Sequence, residues 1–326
     1  MQRFTRMTRT LAAGAALSML AVACGGDNGT TDADGDAAGS IAEDYDLDGL
    51  EVRVASKDFA EQLILGQLAK VAMEAAGAEV EITENLPSPD GARNALLAGD
   101  ADVAWEYTGT AWTNYLGNDE PIDDPIEQWE AVARDDLAEN GVFWTEPAPF
   151  DNTYGFAYPN DLVDERRVET VTDLAEFVEA NPGEATLCVD STFASRDDGL
   201  PRIEEVYDFE WDRDLMFESD FGVIYTSVVD QDPCIFAEVF TTDGSIVAED
   251  LFLIEDDQNG FISYLSSVQM MEDFANDNPQ LAELFQEITA DIDEATMTAL
   301  NAEVDVDGEF PEDVAENYLR EQGFIG

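Results

Sequence analysis

The chain has no histidine, and its 326 residues include only 14 basic side chains against 74 acidic ones. Without histidine, the commonest general base and the Ser–His and Cys–His nucleophile pairs are missing. A formal charge of −60 excludes nucleic acid as a partner, because so negative a surface is repelled by phosphates. Cysteine is scarce too: Cys24, Cys188 and Cys234 stand far apart and have no histidine to complete a zinc set. The acidic runs at 119–130 and 255–257 lack the Asp-x-Asp-x-Asp-Gly spacing of a calcium loop and read as solvated faces. No metal and no cofactor is expected. Lysine occurs only at Lys57 and Lys70, so a lysine inside a candidate ligand loop carries weight. Acidity does not mean disorder, since 45% of the residues are hydrophobic and apolar periodicity persists along the chain. An acidic, lysine-poor surface fits a high-salt medium, where screening weakens self-repulsion.

The N-terminus holds a short apolar run. Arg3, Arg6 and Arg9 precede Leu11 to Ala23, a stretch too short to span a bilayer comfortably and ending in small residues, so residues 1–23 read as an export signal. Cys24 follows Ala21-Val22-Ala23, which resembles a bacterial lipobox, and is expected to be the lipidated N-terminus anchored to the outer face of the cell membrane. Ordinary cleavage that removes or frees Cys24 is the alternative. Residues 24–49 read as a flexible tether. In an exported protein Cys188 and Cys234 are expected to form a disulfide, with two buried free thiols as the alternative.

From residue 50 the chain alternates strand and helix patterns. Leu50–Ala55, Ala78–Thr83 and Ala101–Tyr107 alternate or run apolar as strands do. Phe59–Ala76 and Gly91–Ala98 carry helical spacing and end at Gly77 and Gly99. The pattern restarts at Tyr154, with strands at 154–158, 186–190, 235–240 and 251–254 and helices at 171–179 and from about 199. Helices then follow, the first at 268–275. Such alternation predicts largely parallel sheets that bind ligands beyond the carboxyl ends of strands, where Lys57 and Tyr107 both fall. Length and the restart predict two lobes: residues 50–152 and 255–326 form the first and 153–254 the second, with two crossover strands acting as a hinge.

Aromatic rings and isolated cations recur at the ends of these elements: Lys57, Tyr107, Tyr154, Arg196, Phe240 and Tyr264. A quaternary ammonium offers no hydrogen bond and is held best by electron-rich ring faces, whereas a carboxylate on the same molecule needs Lys, Arg and hydroxyl donors. Singly, each tyrosine would more often be packing and Arg196 a surface ion pair; their joint placement at strand ends and in the hinge favours a shared site.

Four ordered segments carry a resemblance: Ser56-Lys-Asp-Phe-Ala-Glu-Gln62, Glu106-Tyr-Thr-Gly-Thr110, Phe193-Ala-Ser-Arg-Asp-Asp-Gly-Leu-Pro201 and Phe240-Thr-Thr-Asp-Gly244. Together they resemble the substrate-binding lipoproteins of glycine betaine, carnitine and choline ABC importers, over roughly residues 50–326. The resemblance implies an α/β, two-lobed periplasmic-binding-protein fold of type II, working with a permease and its ATPase and enclosing ligand by hinge closure. It maps an aromatic box onto Tyr107, Tyr154, Phe240 and Tyr264, a carboxylate clamp onto Lys57, Thr110 and Arg196, and a further contact onto the carbonyl of Asn152. Phe240 departs from the tyrosine common in the family, keeping the ring face without the hydroxyl. Thr110, where an acidic residue would suit choline, points to betaine-like zwitterions. The expected function is capture of a quaternary ammonium osmoprotectant, glycine betaine first, and not an enzymatic reaction. The competing readings are the same fold serving choline or an amino acid, and a hydrolase built on paired carboxylates.

Overall fold

The computed structural model describes residues 39–86, 90–118, 122–196, 199–219 and 221–326. The export signal, Cys24 and the tether up to residue 38 lie outside the described residues. Among the described residues there are ten strands: β1 (Glu51–Lys57), β2 (Glu79–Leu86), β3 (Val103–Tyr107), β4 (Val142–Trp144), β5 (Tyr154–Pro159), β6 (Leu187–Val189), β7 (Met216–Glu218), β8 (Phe236–Phe240), β9 (Leu251–Leu253) and β10 (Ser266–Met271). They form two five-stranded sheets, β2-β1-β3-β10-β4 and β7-β6-β8-β5-β9.

Both sheets are mixed rather than largely parallel. β1 runs parallel to β2 and β3, and β6 parallel to β7 and β8. β10 is antiparallel to β3 and β4, and β5 antiparallel to β8 and β9. The antiparallel members are the strands that enter or leave by the crossovers, so the reversed direction follows from the chain passing between sheets twice.

Each sheet has its own core. On the first, the Ala60–Ala75 helix buries Ile64, Leu65, Leu68 and Ala72 against Val52 and Val54 of β1, and the C-terminal Gln280–Thr289, Glu294–Asp305 and Pro311–Glu321 helices add Leu284, Ile288, Met297 and Leu319. The Gly91–Ala98 helix stops where Gly99 turns left-handed at φ 73°, as its sequence predicts. The second core is built of rings, among them Phe156, Tyr158, Phe193, Trp211, Phe236 and Phe261. Cys188 on β6 and Cys234 just before β8 are joined by a disulfide, with Cα atoms 5.5 Å apart.

Three further expectations differ from the structure. Residues 268–271, read as the start of a helix at 268–275, belong to β10; only Glu272–Asp277 is helical. Residues 40–49 are not tether: Ser40–Asp44 is a helical turn, Ile41 and Leu47 are buried in the first core, and the Tyr45 hydroxyl donates to Glu287 at 2.7 Å. The chain also stays with the second sheet beyond 254. Phe261 packs between Phe156 and Phe193, and Asp256 accepts from the Tyr207 hydroxyl and from the N–H groups of Gly260 and Phe261.

The two sheets are joined by residues 145–153 and 262–265, which meet at a single antiparallel bridge, Asp151 to Leu265. A second contact lies beside them. Gly244 opens a short turn against the Glu294–Asp305 helix, so close that a Cβ there would sit 2.5 Å from the N and Cα of Ala302.

Candidate functional site

Between the sheets, at the carboxyl ends of β1, β3 and β8, lies a cavity of about 800 Å³, within the usual range for small-molecule sites. Its lining includes Lys57, Tyr107, Thr110, Asn152, Tyr154, Phe240 and Tyr264. Arg196 is not among the lining residues; it is half-buried after the short Ser191–Ser195 helix.

The second sheet supplies ring faces. Tyr154 opens β5 and Phe240 closes β8 as direct cross-strand partners, with ring centroids 5.0 Å apart and planes tilted by 34°. Tyr264, from the second crossover, stands edge-on to Tyr154 at 6.2 Å and 88°. Behind Tyr154 lies Phe193, 4.9 Å away and buried, so these rings are the open margin of the second core. Two devices seat Tyr264. Asp151 accepts from the Tyr264 N–H and from the Ser263 hydroxyl, both at 2.6 Å. Gly109 leaves room for the ring, since a Cβ there would lie 2.7 Å from two of its carbons. That contact gives the glycine of Tyr-Thr-Gly-Thr its physical reason. Burial raises the Asp151 carboxyl to about 6, while donation from Ser263 and Tyr264 pulls it back.

The first sheet supplies charge. Lys57, the last residue of β1, is buried, and its Nζ lies 2.5 Å from Glu106 and 5.3 Å over the Tyr107 ring. Glu106 also accepts from the Tyr107 N–H at 2.9 Å and the Tyr115 hydroxyl at 2.6 Å. The lysine's charge is therefore already compensated within the protein, and towards the cavity it offers N–H donors instead of a net positive charge. Sequence reasoning missed this pair, although Glu106 stands in the same motif as Tyr107.

It also missed Glu61, 2% exposed on the Ala60–Ala75 helix at the cavity wall. Oε1 accepts from the Tyr107 hydroxyl at 2.6 Å and from Asn152 Nδ2 at 3.0 Å; Oε2 accepts from the Thr242 hydroxyl at 2.6 Å and from Asn301 Nδ2 at 3.2 Å. Burial raises this carboxyl, opposed by the four donations. Burial and the adjoining Glu61 charge push the Tyr107 phenol well above its ordinary value, so it keeps the proton it donates. With its amide nitrogen on Glu61, Asn152 holds Oδ1 buried without a hydrogen-bond partner beside the cavity. A further ring, Phe59, stacks on Tyr107 at 6.2 Å and 25° and lines the mouth. Its place between Lys57 and Glu61 in the first motif was the available signal.

Among the described residues no group of histidine, cysteine and carboxylate side chains is arranged to hold a metal ion. No described helix is long and apolar enough to cross a membrane.

A family profile described as the substrate-binding domain of ABC-type glycine betaine transport systems matches residues 51–321. A glycine-betaine-binding protein of Pseudomonas aeruginosa is 34% identical over 279 residues, covering 84% of this chain and 88% of that protein. The glycine betaine-binding protein YehZ of Escherichia coli is 27% identical over 278 residues, covering 84% and 91%. A crystal structure described as a glycine betaine/carnitine/choline ABC transporter superposes with a TM-score of 0.77 at 26% identity, covering 84% of this chain and 99% of that one.

Proposed function

The chain belongs to the family of substrate-binding domains of ABC-type glycine betaine transport systems, and from that premise we propose that its own ligand is glycine betaine or a close zwitterionic relative. It has the type II periplasmic-binding-protein fold and is a solute-binding protein, not an enzyme. The observation that carries the proposal is the cluster of Tyr154, Phe240 and Tyr264 facing Tyr107 across one cavity. Ring faces without a hydrogen-bond acceptor at their centre suit a cation that has no N–H to give, whereas a primary ammonium would want carboxylates in direct contact.

The methylated cation sits among the four rings, with the unpartnered Oδ1 of Asn152 against its methyl groups. The carboxylate turns toward Lys57 and Thr110 on the first sheet. Arg196 joins it only when the second lobe moves inward, adding a two-pronged grip. Thr110 offers a neutral hydroxyl where a carboxylate would repel the ligand's own, which favours betaines over choline. Lipidation at Cys24, a permease and ATPase as partners, and a high-salt medium belong to the same reading.

Calorimetric titration with glycine betaine, proline betaine, carnitine, choline and proline, at low and high salt, tests it. Glycine betaine is expected to bind most tightly, and Tyr264→Ala to cost about 1–3 kcal/mol of that binding, the scale of a desolvated cation–π contact. Tighter binding of proline than of every quaternary amine would refute the assignment.

A further inference from the structure

Glu61 presents an unusual charge balance. It is buried, lines the cavity, and is satisfied entirely by neutral donors: a phenol, a hydroxyl and two amides. The four donations fill both oxygens. Two of the four partners are amide N–H groups that can only donate, and four donations match the acceptor capacity of an ionised carboxylate, so the arrangement suits the charge that burial opposes. The nearby cation that could balance it does not: Lys57 is taken by Glu106. Of the other acids on the cavity wall, Asp58 and Asp305 are exposed, and Asp243 is spent partly on the N–H of Ser245. A buried carboxylate left without a counter-ion is costly, and a low-dielectric wall strengthens its attraction for any cation that reaches the cavity.

Resting on the proposed function, we infer that Glu61 is the counter-charge of the site: the ligand's cation completes an ion pair that the protein leaves open. The charge reaches the ligand in two ways. It acts directly through the buried wall, and it polarises the Tyr107 hydroxyl, moving electron density onto the ring whose face meets the cation. Because the donors come from β3, the first crossover, the loop after β8 and the C-terminal helices, the same carboxylate fixes where that ring stands. Glu61 is thus a positioning and specificity residue that selects for positive charge, while the rings select for methylated shape.

The test compares glycine betaine with tert-butylacetate, which has the same shape and carboxylate but carbon in place of the charged nitrogen. Wild type is expected to prefer betaine strongly. In Glu61→Gln the betaine Kd is expected to rise on the order of tenfold or more, with tert-butylacetate unchanged or bound better, so the ratio of the two collapses. Tyr107→Phe, which removes the polarised hydroxyl and leaves the carboxylate, is expected to lower the ratio by a smaller factor, and it decides the matter if Glu61→Gln does not fold. Equal weakening of both ligands in Glu61→Gln, or an unchanged ratio in a Tyr107→Phe protein standing alone, would overturn the inference and leave Glu61 a structural residue. A wild type that binds the two ligands equally overturns the proposed function as well, which separates the two failures.

Discussion

The two sheets bury charge in opposite ways. On the first, buried charges other than Glu61 come in pairs: Lys57 with Glu106, and Arg93 with Asp136, where Arg93 also lies 5.0 Å over the Tyr115 ring. On the second, the one charged residue buried outright among those described is Glu238, which accepts from the Asp190 N–H at 2.6 Å. The cores differ to match. The first is mostly aliphatic and fits around ionic pairs; the second is a ring network closed by a disulfide. The half that lines the cavity with Lys57 and Thr110 is held mainly by partnered ions, and the half that lines it with Tyr154 and Phe240 is held by more rings, of which these two are the outer edge. Each lobe presents to the cavity the chemistry from which it is built.

The contrast breaks most directly at Arg93. Its guanidinium meets both oxygens of Asp136, which also accepts from Trp144 Nε1 at 2.7 Å and Asn140 Nδ2 at 2.8 Å. Arg93→Ala leaves that carboxylate buried and unbalanced, at an expected cost of about 3–5 kcal/mol. Urea unfolding checks it, and the loss should appear in the fluorescence of Trp105, Trp129 and Trp144 while Trp211, the tryptophan of the second core, reports little change. Cys188→Ser with Cys234→Ser is the mirror experiment. Opening a link across 46 residues should destabilise the second lobe by roughly 4 kcal/mol in the chain-entropy description. Here Trp211 should respond first; a uniform response of all the tryptophans would mean the two cores unfold as one.

A smaller effect sharpens the charge comparison. Burial pushes the Glu238 carboxyl up to about 8 from an ordinary 4.5; the Asp190 N–H draws it down and the Asp190 charge adds to the rise. Between those two values the folded protein holds a proton that the unfolded chain has released. The stability from this group is complete below about 4.5, falls as pH rises, and is gone above about 8. Glu238→Gln should flatten that slope and raise stability at pH 8.5 by on the order of 3 kcal/mol relative to wild type, with little change at pH 4. Thermal melts across that range check it, and an unaltered slope would show that the second lobe tolerates the ionised acid.

Local signals made most of the fold legible. Helical spacing from Phe59 to Ala76 and the stop at Gly99 placed β1 to β3 and their helices within three residues, the largest miss being the end of β2. β10 escaped because a strand flanked on both sides by others and buried on both faces need not alternate, and Ser-Ser-Val-Gln-Met-Met carries no strand signature. The turn at Ser40–Asp44 escaped because Ile41 and Leu47 are isolated apolar residues in an acidic, glycine-rich stretch, and what holds them is distant in sequence: the Ile41 N–H donates to the Phe324 carbonyl and the Leu47 N–H to the Ala76 carbonyl. At the site, the residues that the motifs single out do line one cavity, Arg196 apart. What spacing could not reveal is how they are held. Glu61 draws its donors from positions 107, 152, 242 and 301, a convergence that exists only in three dimensions.

The bare contact at Gly244 has a mechanical meaning. Backbone meets backbone there, beside a hydrogen bond from Asn301 Nδ2 to the Thr242 carbonyl at 2.7 Å, so the second lobe bears on the C-terminal helices at a point with no side chain to yield. A methyl group at position 244 would find backbone on the far side, at Asn301 and Ala302, where no rotamer change can make room, so the second lobe and the C-terminal helices touch this closely only because one carbon atom is missing.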